Sequence, residues 1–87
     1  MQIPVLLLWE KDGQEHREDT FTVTVSWFGC SVYSHNFFRT NSRVRLQRDS
    51  DTMEAQVVYS LKDRSANLVE LGLEFDQDAR EFWGIRV

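Results

Sequence analysis

The chain has 87 residues, which is room for one domain, taken as residues 1–87. An apolar fraction of 41% with 13% aromatics excludes a disordered chain, and a formal charge of −4 argues against general binding to DNA or RNA. The single cysteine excludes an internal disulfide framework and suits a reducing compartment.

The first element is the apolar run IPVLLLW, residues 3–9. It lacks a basic leader and a cleavage site, and it falls far short of the roughly 20 apolar residues of a membrane helix. A cytoplasmic location without membrane insertion is therefore expected. The run is short and rich in branched side chains, as a buried strand is. Asp12-Gly13 is a hairpin turn signal. The next run, residues 20–25, alternates: Phe21, Val23 and Val25 on one face, Thr20, Thr22 and Thr24 on the other. This is the pattern of a half-buried strand, expected to pair antiparallel with the first.

Ser26-Trp27-Phe28-Gly29 interrupts the pattern. A tight turn explains it, with Gly29 in a backbone conformation other residues avoid and Ser26 bonded to the turn backbone. One of the two aromatics is expected to cap an open barrel end beside Trp83, the other to face solvent. Residues 30–35 are again β-patterned, and residues 36–42 are irregular, with Phe37 and Phe38 expected as a plug. Val44 and Leu46 alternate with Arg43 and Arg45. A polar turn follows at residues 48–52, then a strand over residues 53–61 with Ala55, Val57 and Tyr59 on one face. After a loop, residues 67–75 form what is expected to be the longest strand, with Leu71, Leu73 and Phe75 inward and Gly72 opposite. The tail is expected to open with a helical turn capped by Asp76 or Asp78, then return to extended chain at Phe82-Trp83-Gly84-Ile85. Six short strands with almost no helix predict an all-β fold, a small six-stranded antiparallel β-barrel closed to hide its edges.

Chemistry-bearing clusters are sparse. His16, Cys30 and His35 lack the paired spacings of a zinc site, and Asp49-Ser50-Asp51 lacks the glycine and distal glutamate of a calcium loop. No metal and no cofactor are expected. Cys30 reads as a small buried hydrophobe. No Gly-x-Ser-x-Gly elbow occurs, and Ser26 and His35 form no recognisable nucleophile arrangement, so the chain is not expected to be an enzyme. Glu10, Glu15, Glu18, Asp19, Glu70 and Glu74 read as solvated surface. Arg43 and Arg45 share an outward face. They make either a phosphate-binding stripe or, more simply, a solvated strand face, with Arg39 and Arg48 nearby in the chain.

The ordered set TVSWFGC, VRLQ, EAQVVYS, ELGLEF and FWGI resembles the PilZ domain, a bacterial barrel family that binds cyclic di-GMP. The resemblance covers nearly the whole chain. The family's Asp/Asn-x-Ser-x-x-Gly motif falls on Thr24-Val25-Ser26-Trp27-Phe28-Gly29. Its Gly-x-x-Val-x-Leu motif falls on Asn41-Ser42-Arg43-Val44-Arg45-Leu46, with Asn replacing Gly at a position of positive φ. The resemblance implies ligand-facing roles for Thr24, Ser26 and Gly29, with Trp27 a neighbour that stacks a base or anchors a partner. Two departures bear on binding. The family's Arg-x-x-x-Arg segment before the first strand has no counterpart here, since no arginine precedes Arg17. Thr24 also stands where a carboxylate or amide would grip a guanine edge with two groups. The expectation is a monomeric signalling domain in cyclic di-GMP pathways with weak or absent direct binding. Arginines from a preceding segment of a longer protein would restore it. The alternative is a PilZ-like barrel that serves a protein partner or attached domain and binds no nucleotide.

Overall fold

Asp12 and Gly13 both take positive φ, 55° and 78°, the backbone of the two-residue hairpin turn that matches strand twist. They join β1 (Pro4–Lys11) to β2 (Gln14–Val25), paired in register from Pro4↔Phe21 to Lys11↔Gln14. The chain continues through β3 (Gly29–Ser34), β4 (Arg43–Arg48), β5 (Asp51–Asp63), β6 (Leu68–Phe75) and one helical turn, α1 (Arg80–Trp83). The computed structural model describes residues 2–84. The strands close in the order β1-β2-β3-β6-β5-β4, every neighbouring pair antiparallel. The expected small all-β barrel is the observed fold.

The core follows from strand alternation. Leu7, Val32, Leu46, Ala55, Val57 and Leu71 are fully buried inside the barrel. Asn41 takes φ 76°, the left-handed conformation that asparagine tolerates better than most residues. The longest strand is β5, with 13 residues, rather than the segment 67–75. It continues past Leu61 because its pairing with β6 runs on to Asp63↔Leu68.

Two bulges shift the faces away from the simple pattern. In β2, Thr22 is buried and Phe21 is 42% exposed, the reverse of the expected arrangement. The backbone of Ile3 makes this possible. Its N–H donates to Thr22 Oγ1 at 2.8 Å, and its carbonyl accepts from the Thr22 N–H at 3.0 Å. A buried hydroxyl so paired costs little. Phe21 lies outside, edge-on to Tyr33. The register shift between Thr22 and Thr24 then turns Val25 back against the core. In β5 the register shifts between Val57 and Tyr59. Tyr59 therefore lies opposite Gly72 on the outer face, not beside Ala55 and Val57.

The polar stretch 14–19 is strand as well. Glu18, read as solvated, is half-buried and accepts from Ser34 Oγ (2.6 Å), the His35 N–H (2.8 Å) and Asn36 Nδ2 (3.2 Å). It pins the start of the β3–β4 loop.

Both barrel ends are closed by aromatics. At one end Phe38 is buried and meets Trp9 edge-on at 5.1 Å, while Phe37 stays 56% exposed, so only one of the pair is a plug. At the other, Phe82 and Trp83 pack on Phe75, with ring centroids 6.1 and 5.7 Å from it. These two residues are helical, not extended. Asp78 Oδ1 accepts from the Arg80 N–H at 2.9 Å at the start of the turn, and Gly84, at φ 72°, ends it. Ile85 lies outside the described residues.

Candidate functional site

The 24–29 turn works first as a clamp. Three consecutive carbonyls accept hydrogen bonds from the C-terminal segment. Trp83 Nε1 donates to Ser26 O at 2.9 Å. The Ala79 N–H donates to Trp27 O at 2.7 Å, and the Phe75 N–H to Phe28 O at 2.8 Å. The Ser26 N–H and hydroxyl both donate to Gly29 O, at 2.9 and 3.2 Å. Gly29 is required for space, not for an unusual φ. A Cβ there would sit 2.4 Å from the Leu73 carbonyl oxygen. That corrects the expectation drawn from turn chemistry.

The side chains of the turn face outward. Trp27 and Phe28 are 46% and 58% exposed, so neither caps the barrel; Phe82 and Trp83 do so instead. The Arg80 guanidinium lies 5.0 Å from the centre of the Trp27 ring and pairs with Asp78 at 3.0 Å. Hydrogen bonds from the Arg80 backbone and side chain hold the Asp78 carboxyl below its ordinary value. Thr24 Oγ1 shares a 2.8 Å hydrogen bond with Ser31 Oγ. The turn thus brings Thr24, Ser26, Trp27 and Gly29 together, with the Thr24 and Ser26 hydroxyls bonded within the fold.

A second feature lies at the Trp9 end of the barrel, away from this turn. An open groove of about 790 Å³ runs between the end of β1, the start of β4 and the 36–42 loop. Its apolar floor includes Leu8, Trp9 and Phe38, and its rim carries Lys11, Arg39, Arg43 and Arg45. Trp9 stacks on His16 with centroids 5.6 Å apart. Arg43 makes a two-pronged pair with Asp76, and Arg45 reaches Glu15 at 3.1 Å. The hydrogen bonds from Arg43 hold the Asp76 carboxyl below its ordinary value. Arg48 stands apart, donating to the Phe82 carbonyl at 2.9 Å beneath α1. Arg43 and Arg45 share the groove rim, and Arg48 lies elsewhere.

Lys11, Trp9 and Phe38 were not legible as groove residues, because only barrel closure sets the end of β1 beside the 36–42 loop. Among the described residues, no three His, Cys, Asp or Glu side chains converge as metal ligands would. No helix among them is long and apolar enough to cross a membrane. Cys30 is buried, and burial pushes its thiol up to about 12. No family model, no curated protein and no solved structure matches this chain.

Proposed function

We propose that this chain is a non-catalytic, PilZ-like signalling barrel of bacterial cyclic di-GMP pathways, whose own binding of the nucleotide is weak or absent. The observation that carries this reading is the use of the 24–29 turn as a clamp. Its carbonyls are taken by Phe75, Ala79 and Trp83, and the Ser26 hydroxyl is turned onto Gly29. Thr24 is bonded to Ser31 and offers one hydroxyl where a guanine edge asks for two groups. One arginine, Arg80, stands beside the turn, already stacked and paired. The reading puts the barrel in the cytoplasm, where Cys30 stays reduced.

The test is a titration of cyclic di-GMP into the labelled chain, followed by backbone amide shifts. The expected result is no saturable shift at residues 24–29 up to about 1 mM nucleotide, an affinity limit of ~4 kcal/mol. Saturable shifts there at micromolar nucleotide would make the chain a receptor in its own right.

The exposure of Trp27, Phe28 and Phe37 favours a second reading, a protein-interaction module that binds no nucleotide. Its test is a Trp27→Ser/Phe28→Ser variant of the protein in its native host. Loss of the signalling output with an unchanged fold supports this reading; retained output opposes it.

A further inference from the structure

The barrel is closed, but one of its seams is short. β1 and β4 pair at three positions, Leu6↔Gln47, Leu7↔Leu46 and Leu8↔Arg45. β1 nonetheless runs on to Lys11, and β4 begins two residues earlier, at Arg43. On its other side β1 stays paired with β2 to the hairpin tip, and β4 stays paired with β5 from Arg43 onward. The next hydrogen-bonded rung of the β1–β4 seam, Glu10 with Arg43, is therefore missing between strands that are otherwise regular, while Trp9 and Val44 turn their backbone groups to β2 and β5. Strand edges left in this way carry backbone donors and acceptors with no ladder partner.

The groove described above lies in this opening. Its volume, about 790 Å³, falls within the usual range for a ligand site. Trp9 and Phe38 provide an apolar seat between the two edges. The lining is rich in basic side chains. Lys11, Arg39, Arg43 and Arg45 line it with Glu10 and Glu54, and Asp76 and Glu15 pair with Arg43 and Arg45, so the uncompensated cations are Lys11 and Arg39. Lys11 and Arg39 have no ion-pair partner among the described residues. The Arg43 and Arg45 pairs are solvent-exposed, so an incoming carboxylate can exchange with Asp76 or Glu15 at little cost.

We propose that this groove is a binding site for an acidic peptide segment of a partner protein, held in extended form with one aromatic side chain against Trp9 and Phe38. The basic rim selects acidic residues. The open rung favours a peptide over a small aromatic acid, because a peptide backbone supplies both a donor and an acceptor to Glu10 and to Arg43.

The test is a titration of the labelled chain with the acetylated and amidated peptide Asp-Glu-Phe-Asp-Glu, followed by amide shifts. Its controls are Lys-Arg-Phe-Lys-Arg and phenylacetate. The expected result is saturable shifts from the acidic peptide at residues 9–11, 39 and 43–44, with slowed amide exchange at Glu10 and Arg43. A Lys11→Glu/Arg39→Glu variant reverses two exposed charges, and its amide spectrum reports whether it is folded. It is expected to bind at least tenfold more weakly, about 1.4 kcal/mol. The proposal is overturned if no shift appears at about 1 mM acidic peptide, a limit of ~4 kcal/mol. It is also overturned if the basic peptide or phenylacetate gives the same shifts, if the shifts fall at residues 24–29, or if the folded charge-reversal variant binds equally well.

Discussion

The indole N–H of Trp83 donates to the carbonyl oxygen of Ser26 at 2.9 Å, joining residues 57 apart in the chain. This bond ties α1 to the turn between β2 and β3 and holds the aromatic lid over one end of the barrel. Trp83→Phe keeps most of the packing and removes the donor. The expected cost is about 1 kcal/mol, a fall in melting temperature of roughly 4–8 °C for a domain of this size. Trp83→Ala removes the lid too and is expected to cost about 3–5 kcal/mol. Thermal unfolding of both variants checks the order; equal losses would mean that the bond, not the ring, holds the lid.

Gly29 and Ser26 are expected to differ sharply in tolerance. Gly29→Ala forces a methyl against the Leu73 carbonyl, at 2.4 Å, so the β3–β6 ladder must shift. The expected cost is about 1–3 kcal/mol. Ser26→Ala loses one long, exposed hydrogen bond and is expected to cost less than about 0.5 kcal/mol. Urea unfolding measures both. A neutral Gly29→Ala would contradict the close approach.

Gly72 makes room for a ring. A Cβ there would come within 1.9 Å of Tyr59 Cε2, while the Tyr59 hydroxyl donates to Glu70 Oε2 at 2.7 Å. Gly72→Ala is expected to push the ring away, break that bond and cost about 1–3 kcal/mol. In a Tyr59→Ala background the same change is expected to cost about 0.5 kcal/mol or less, giving a coupling of about 0.5 kcal/mol or more. The bond to Glu70 also holds the Tyr59 hydroxyl above its ordinary value of 10.0. Ultraviolet titration of Gly72→Ala should show that phenol returning toward 10.0.

Cys30 makes stability depend on alkaline pH. Its thiol is raised from 9.0 to about 12 in the folded chain by burial. The folded state thus keeps a proton that the unfolded state releases first. The contribution is fully present below pH 9.0 and is lost as pH rises toward about 12. Between those limits the loss is roughly 1.4 kcal/mol per pH unit. Other groups titrate there too, so the readout is the difference between the native chain and Cys30→Ala. Unfolding midpoints of the two are expected to converge as pH rises, and parallel curves would refute the burial argument. The native thiol should also react slowly with a disulfide reagent at pH 8, and quickly in denaturant.

Local rules were enough for much of this protein. The Asp12-Gly13 turn and the inward faces of β4 and β6 each depend on a few adjacent residues, so turn chemistry and alternation reveal them. The six strands follow from the spacing of those segments, and closure follows from the need to hide their edges. The tertiary structure decided what depends on register between distant strands. Thr22 is inside and Phe21 outside because Ile3 offers Thr22 two backbone partners, and no window around Thr22 contains that fact. Trp27 and Phe28 are exposed because Phe82 and Trp83, more than fifty residues on, already fill the barrel end. The groove exists because the β1–β4 ladder stops at Leu8↔Arg45, a limit set by how the first and fourth strands meet on closure. Strand character is short-range chemistry and was written in the chain; the pairing partner of each edge is a long-range choice that only the closed barrel makes.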